Sequence, residues 1–406
     1  MTAHMRTRAP AAGGTALDDF TERLFGHLPR ADQRRWARVY LQGLLTTPGK
    51  KSVRRLAASV TASPTASQSL QQFINASPWE WDPARAELLR WVEERHPVHA
   101  WTVGQVCFPK RGEHSVGVHR RFDPVAGRIV NCQFGYGLFL SLDGMSVPVD
   151  WRLVLPESWS VDPALRRRAR ISPDVAHQSA ESLVLELVDS IAARTSSVRA
   201  PVVADLSRLG AAATLIGMLG RRGHDFLVSV PPTLAVCAAG PGHGTGPART
   251  PAHATSAGDL ARRGNTSHPY AAPLTGPAGR PQQHPQPHPL RIQSALVRVP
   301  GADLAAPGAQ QTYRLFGERR PGPGARGAGG AVWLTNMSRH RMDDLLRLVR
   351  QSGRAAATLG VLADDFGLLD FEGRSFPGWH HHMTLMSAAY AYKGLPALRE
   401  RYAPSA

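Results

Sequence analysis

The sequence predicts an α/β fold: a mixed sheet flanked by helices, an all-helical region in front of it and a disordered insert within it. Three observations carry this prediction. Apolar residues recur at helical spacing through the first hundred residues, and from Trp101 the period shortens to that of strands. From Ser179 helices and strands alternate, until a tract dense in Gly and Pro begins at Gly240.

Residues 1–16 are small and polar, without an apolar signal core, and read as a disordered tail. Residues 17–98 form the helical region. Leu17 to Leu45 places Phe20, Leu24, Leu28, Trp36, Val39, Tyr40 and Leu44 at roughly helical spacing, broken near Pro29. After Gly49-Lys50-Lys51 come Ser52 to Val60, a turn at Thr61 to Thr65, a second short helix from Ala66 to Asn75 and a longer one from Pro83 to Glu94. Helix, tight turn, helix, with Lys50, Lys51, Arg54 and Arg55 at the first member, suits a helix-turn-helix reader of DNA. Packing of three helices without DNA fits the same spacing. Trp79, Trp81, Trp91 and Trp101 fit a core better than a base-stacking surface.

The sheet opens in residues 99–236. Val103 to Phe108, Ser115 to Phe122, Arg128 to Leu142 and Ser146 to Leu155 are β-rich runs separated by Gly, Pro and Asp turns, as in an antiparallel meander. A helix over Ser179 to Arg194, a strand from Val202 ending in Asp205, a helix over Ala211 to Arg222 and a strand over Phe226 to Val230 add parallel strands beside it. Residues 237–289 are the insert. From Gly240 to Pro289 the only aromatic residue is Tyr270, so too little apolar surface exists to offset chain entropy. Its histidines (His243, His253, His268, His284, His288) have no paired metal-ligand spacing. Structure resumes in residues 290–395 with strands over Leu290 to Val299, Gln311 to Arg319 and Ala331 to Asn336. A helix from Met342 to Leu362 follows, and Gly378-Trp379-His380-His381-His382 leads into a helix over Met383 to Tyr392; residues 396–406 close as a tail.

The formal charge is +17, from 48 Lys+Arg against 31 Asp+Glu. A polyanionic partner follows, double-stranded DNA first and anionic membrane second. Candidate phosphate contacts are Lys50, Lys51, Arg54, Arg55, Lys110, Arg111, Arg120, Arg121, the Arg166-Arg167-Arg168 run, Arg374 and His380. Cys107, Cys132 and Cys237 are too few and scattered for a disulfide framework or a zinc site. No run of about 20 apolar residues occurs, so a soluble, cytoplasmic chain without a membrane partner is expected, with a homodimer left open.

A meander, then alternating helices and strands, an insert and a last helix is the order of a ribonuclease-H-like domain. In that fold three carboxylates converge on two divalent cations about 4 Å apart that drive phosphoryl transfer. The chain resembles insertion-sequence DDE transposases of the DDE-superfamily-endonuclease kind through several strings: Ser69 to Trp79 (SLQQFINASPW), Ser115 to Val118 with Gly127 to Gln133, Leu155 to Trp159 (LPESW), and Phe371 to Ser375 (FEGRS) with Gly378 to His382 (GWHHH). The resemblance implies a first Asp at Gly104, placed by Phe108, Lys110 and Gly112, and a second at Asp205. The implied Glu, sixteen residues before Glu372, falls on Ala356.

One carboxylate of three is present, so Asp205 is the single candidate catalytic and metal-binding residue. Asp343, Asp344, Asp364 and Asp365 lie about 12 Å or more along a helix from position 356. His380, His381 and His382 point about 100° apart on a helix and cannot share one ion. The expected function is a DNA-binding protein of the transposase family without strand cleavage and without a cofactor. An active transposase using Mg²⁺ or Mn²⁺ and a scaffold without a DNA role remain as alternatives.

Overall fold

A computed structural model describes residues 12–123, 127–239, 254–264, 266–270, 290–302, 311–319 and 330–402. Five helices come first: α1 (Ala12–Phe25), α2 (Ala31–Thr46), α3 (Val53–Val60), α4 (Ala66–Asn75) and α5 (Asp82–Glu93). Helix α1 starts inside the stretch expected to be a disordered tail. The break before α2 falls at Leu28-Pro29, as the spacing predicts.

The meander is β1 (Ala100–Pro109), β2 (His119–Asp123), β3 (Arg128–Ser141) and β4 (Ser146–Leu153). Only the second half of the predicted Ser115–Phe122 strand forms, because Gly117 turns the chain at φ +72°. Two short helices that the sequence reading missed follow, α6 (Glu157–Val161) and α7 (Pro163–Ala169), and then α8 (Ala180–Arg194), β5 (Val202–Asp205), α9 (Ala212–Arg221) and β6 (Phe226–Val230).

The predicted insert is not uniformly without structure. Its described residues form β7 (Ala235–Ala238), β8 (Thr255–Ser256), α10 (Ala257–Arg263) and β9 (Thr266–Tyr270). The Ser256 hydroxyl caps α10 by accepting from Asp259 N–H, and Ala257 and Ala261 are small enough to bury against the sheet. Among the insert histidines His268 is described, with its ring 3.2 Å from the Ser294 hydroxyl; His243, His253, His284 and His288 lie outside the described residues. The chain ends with β10 (Leu290–Arg298), β11 (Tyr313–Arg319), β12 (Val332–Thr335), α11 (Met342–Asp365) and α12 (Phe376–Tyr402). The three consecutive histidines lie inside α12, which also extends past the predicted tail boundary.

Twelve strands join in one mixed sheet, β2-β3-β1-β5-β6-β12-β11-β10-β7-β8, with β4 paired to β3 and β9 to β10. The run β4-β3-β1-β5-β6, antiparallel on the meander side and parallel from β1 to β6, has ribonuclease-H-like topology. Strand alternation separates two faces. Val203 and Leu227 pack with Leu345, Leu346 and Val349 of α11, whereas Val202, Ala204, Phe226 and Val228 join the core containing Val184, Val188 and Leu215 of α8 and α9. That larger core also runs unbroken through the N-terminal helices, so the boundary expected at residue 98 does not separate two cores.

Candidate functional site

Asp205 closes β5 next to β1. The parallel ladder pairs Val103 with Ala204, so its next step sets Gly104 beside Asp205. Both positions share the sheet face covered by α11. A Cβ added at Gly104 would meet the Phe139 ring at 2.9 Å and the Leu359 methyl at 3.5 Å, so apolar packing fills the space where a side chain would stand. Val349, Ser352 and Gly353 of α11 line a small cleft of about 230 Å³ together with Asp205 and Ser229. Ala356 lies three residues after Gly353 and three before Leu359, on the same helical stripe. Gly104, Asp205 and Ala356, inferred by counting along the sequence, therefore converge on one junction.

The donor set there is poor. One Asp205 carboxylate oxygen accepts from the Ser229 hydroxyl and from Ser207 N–H at 2.9 Å, and the Gln105 amide donates to the Asp205 backbone carbonyl at 3.1 Å. This is the hydrogen bonding of a strand-end turn. The other polar side chains lining the cleft are the hydroxyls of Ser207, Ser229 and Ser352 and the indole of Trp333. Asp344 pairs with Arg347 at 2.7 Å, and Asp364 and Asp365 are exposed beyond the other end of the stripe. No group of three or more His, Cys, Asp or Glu that could hold a metal occurs among the described residues. Two divalent cations need several oxygen ligands between them, and one partly occupied carboxylate does not fit that requirement.

The sequence profile described as DDE superfamily endonuclease matches residues 23–289, more than half of the chain. This protein belongs to the DDE superfamily of endonucleases. No curated protein matches it. The match runs from the helical region through β6 into the insert and stops short of α11.

The strings that carry the family resemblance meet in space. The Asn75 carbonyl accepts from the Ser375 hydroxyl at 3.1 Å, and the His381 ring nitrogens stand 2.9 Å from the carbonyls of Ile74 and Trp79 while the ring stacks on Trp79 at 3.9 Å. His380 stacks on Trp81 and faces the Arg85 guanidinium at 3.1 Å. His382 accepts from the Tyr40 hydroxyl and donates to the Gly367 carbonyl, both at 2.9 Å. Gly373 and Gly378 are required because a Cβ at either would strike the Asn75 side chain. Burial lowers the pKa of all three imidazoles, to about 4 for His381 and His382. His380, expected to touch phosphate, is 3% exposed and serves this clasp instead. No signal in a run of three histidines points to partners almost 300 residues upstream.

Arg85 is the centre of a second buried network that the sequence reading missed. It pairs with Asp150 at 2.8 Å and donates to the Thr384 hydroxyl at 2.9 Å, with both charged side chains at most 1% exposed. Burial pulls the Arg85 pKa down to about 10. It also opposes ionisation of Asp150, but Arg152, Arg85 and Arg194 outweigh it and hold that carboxyl below its usual range.

The other predicted cations divide into pins and free groups. Lys110 donates to the Phe371 carbonyl at 2.7 Å, its pKa lowered to about 8 by burial. Lys51 is buried and donates to the Thr47 carbonyl, which overturns its expected exposure to DNA. Lys50 pairs with Glu372 at 2.6 Å. Arg121 lies over the Phe134 ring at 3.7 Å, and Arg55 donates to the Pro48 carbonyl at 3.0 Å. Arg54, Arg111, Arg120 and Arg374 are exposed.

Proposed function

We propose that this DDE-superfamily chain derives from an insertion-sequence transposase, binds double-stranded DNA in the cytoplasm and no longer cuts it. One observation carries the reading: at the junction of β1, β5 and α11, Asp205 stands beside Gly104 and the Ser352-Gly353-Ala356 stripe, and it is the one carboxylate among the described residues that line the cleft. Phosphoryl transfer by this superfamily's chemistry needs a clamp for two cations, and a single Asp already bonded to Ser229 and Ser207 does not provide it. DNA as the partner is supported by the family, by the charge of +17 and by the exposed arginines. The scaffold is retained while the chemistry is absent, and Asp205 then acts as a strand-end acid.

The test measures duplex binding by fluorescence anisotropy with and without Mn²⁺, and follows free Mn²⁺ by electron paramagnetic resonance. Expected are salt-sensitive binding with no Mn²⁺ requirement and no saturable Mn²⁺ site. A two-ion isotherm abolished by Asp205→Ala would overturn the loss of cleavage. Failure to bind duplex at low salt would overturn the DNA reading.

A further inference from the structure

We infer that the trough between α3, α4, the end of α7 and the Asp370–Ser375 loop is the phosphodiester-binding site of this protein and holds the backbone of duplex DNA. This rests on the DNA-binding reading above and names its site. The trough has a volume of about 730 Å³ and opens into a second hollow of about 470 Å³ that shares Lys50, Asp370, Phe371, Glu372 and Arg374 with it. Lys50, Lys51, Arg54, Arg168, Arg170 and Arg374 line the first against two carboxylates, Asp370 and Glu372. These cations come from segments more than 100 residues apart, so the charge is assembled by folding.

The side chains divide by task. Lys50 and Lys110 are spent on pinning the loop, through Glu372 and the Phe371 carbonyl, while Lys51 holds Asp370 by its backbone N–H at 2.7 Å and turns its ammonium to the Thr47 carbonyl at the end of α2. Arg170 donates to the Ala76 carbonyl at 3.1 Å, and Arg168 lies over Trp159 at 5.8 Å. Arg54 and Arg374 make no hydrogen bond or ion pair among the described residues, and both are exposed at the rim. Between them α4 presents Ser67 and Gln71, neutral hydrogen-bonding groups one helical turn apart. Unpaired arginines with neutral polar groups between them are the chemistry of backbone contact, which fixes position without reading bases. The two aromatic residues in the wall, Tyr40 and Phe371, are at most 4% exposed, so no stacking platform exists for the splayed bases of a single strand.

The test compares the full chain with Arg54→Gln/Arg374→Gln and with an edge variant, Arg339→Gln/Arg341→Gln, an equal charge loss on exposed residues between β12 and α11 and outside the trough, using a 20-base-pair duplex of arbitrary sequence at several salt concentrations. The trough variant is expected to bind about tenfold more weakly on any sequence and to reduce the salt slope by about 2, with the edge variant close to the native chain. If the native chain binds duplex but both variants lose affinity equally, or only the edge variant does, the trough is the wrong site and the DNA-binding reading stands. Tighter binding of a single strand or of RNA overturns duplex DNA as the ligand. A native chain that binds no nucleic acid overturns the reading on which the site rests.

Discussion

Gly104 and Asp205 show how much one residue decides. The family resemblance points to the first through Phe108, Lys110 and Gly112, and the ladder sets Gly104 beside Asp205. What spacing could not reveal is that Phe139 and Leu359 fill the space above Gly104. A carboxylate introduced there has no room to reach a cation. Gly104→Asp is expected to lower stability by about 3 kcal/mol in urea denaturation, since it overpacks the core and buries an unpaired charge, and to leave cleavage absent. A stable variant that gains Mn²⁺-dependent nicking would contradict this. His382 gives a residue-level prediction for pH. Its folded pKa of about 4 lies below the unfolded value of about 6.5, so the unfolded chain takes up the proton first as pH falls. The stability that its neutral form contributes is complete above about pH 6.5, is lost towards pH 4, and amounts to about 3 kcal/mol. Urea midpoints measured from pH 7.5 down to 4.5 check it; a flat profile would mean that the ring is not held neutral.

Among the elements, strands and long helices were legible because their apolar period is sustained: α2, α8, β3 and β5 lie close to their predicted limits. The misses have local causes. Helix α7 carries three successive arginines and little apolar surface, yet Asp162 and Pro163 were a readable start signal, and the Asp162 carboxylate accepts from Ala164 and Leu165 N–H. Helix α10 was hidden by the composition of the tract around it. The clasp between α4 and α12 was visible only as two strings; their physical reason is that Ser375 donates to the Asn75 carbonyl and the single N–H of neutral His381 donates to one of the Ile74 and Trp79 carbonyls where α4 ends. Arg85 ties α5 to β4 and α12 in the same way. Arg85→Ala strands Asp150 with fewer partners in the core and is expected to cost about 4 kcal/mol by chemical denaturation; a loss below about 1 kcal/mol would show that Arg152 and Arg194 suffice.

Over the whole molecule, the excess of positive charge was plain in the sequence, but its distribution was not. Composition cannot tell a pinned lysine from a free arginine. Folding spends the Lys50 and Lys110 ammonium groups and the Lys51 backbone N–H on holding the Asp370–Ser375 loop and leaves Arg54 and Arg374 at the edge of a trough. The same fold carries one core from the N-terminal helices into the sheet, so the surface proposed to bind DNA and the Asp205 junction share one core. Under the proposed function such a scaffold would keep recognition without chemistry, because phosphate contacts depend on surface cations and cleavage depends on a few fixed oxygens. The most direct measurement is a strand-cleavage and strand-transfer assay with Mn²⁺ on supercoiled DNA carrying the sequence that flanks this gene, with binding recorded on the same samples for the native chain and Asp205→Ala. Equal binding and no nicked product from either protein is the predicted result; nicking by the native chain that disappears in Asp205→Ala would contradict the account.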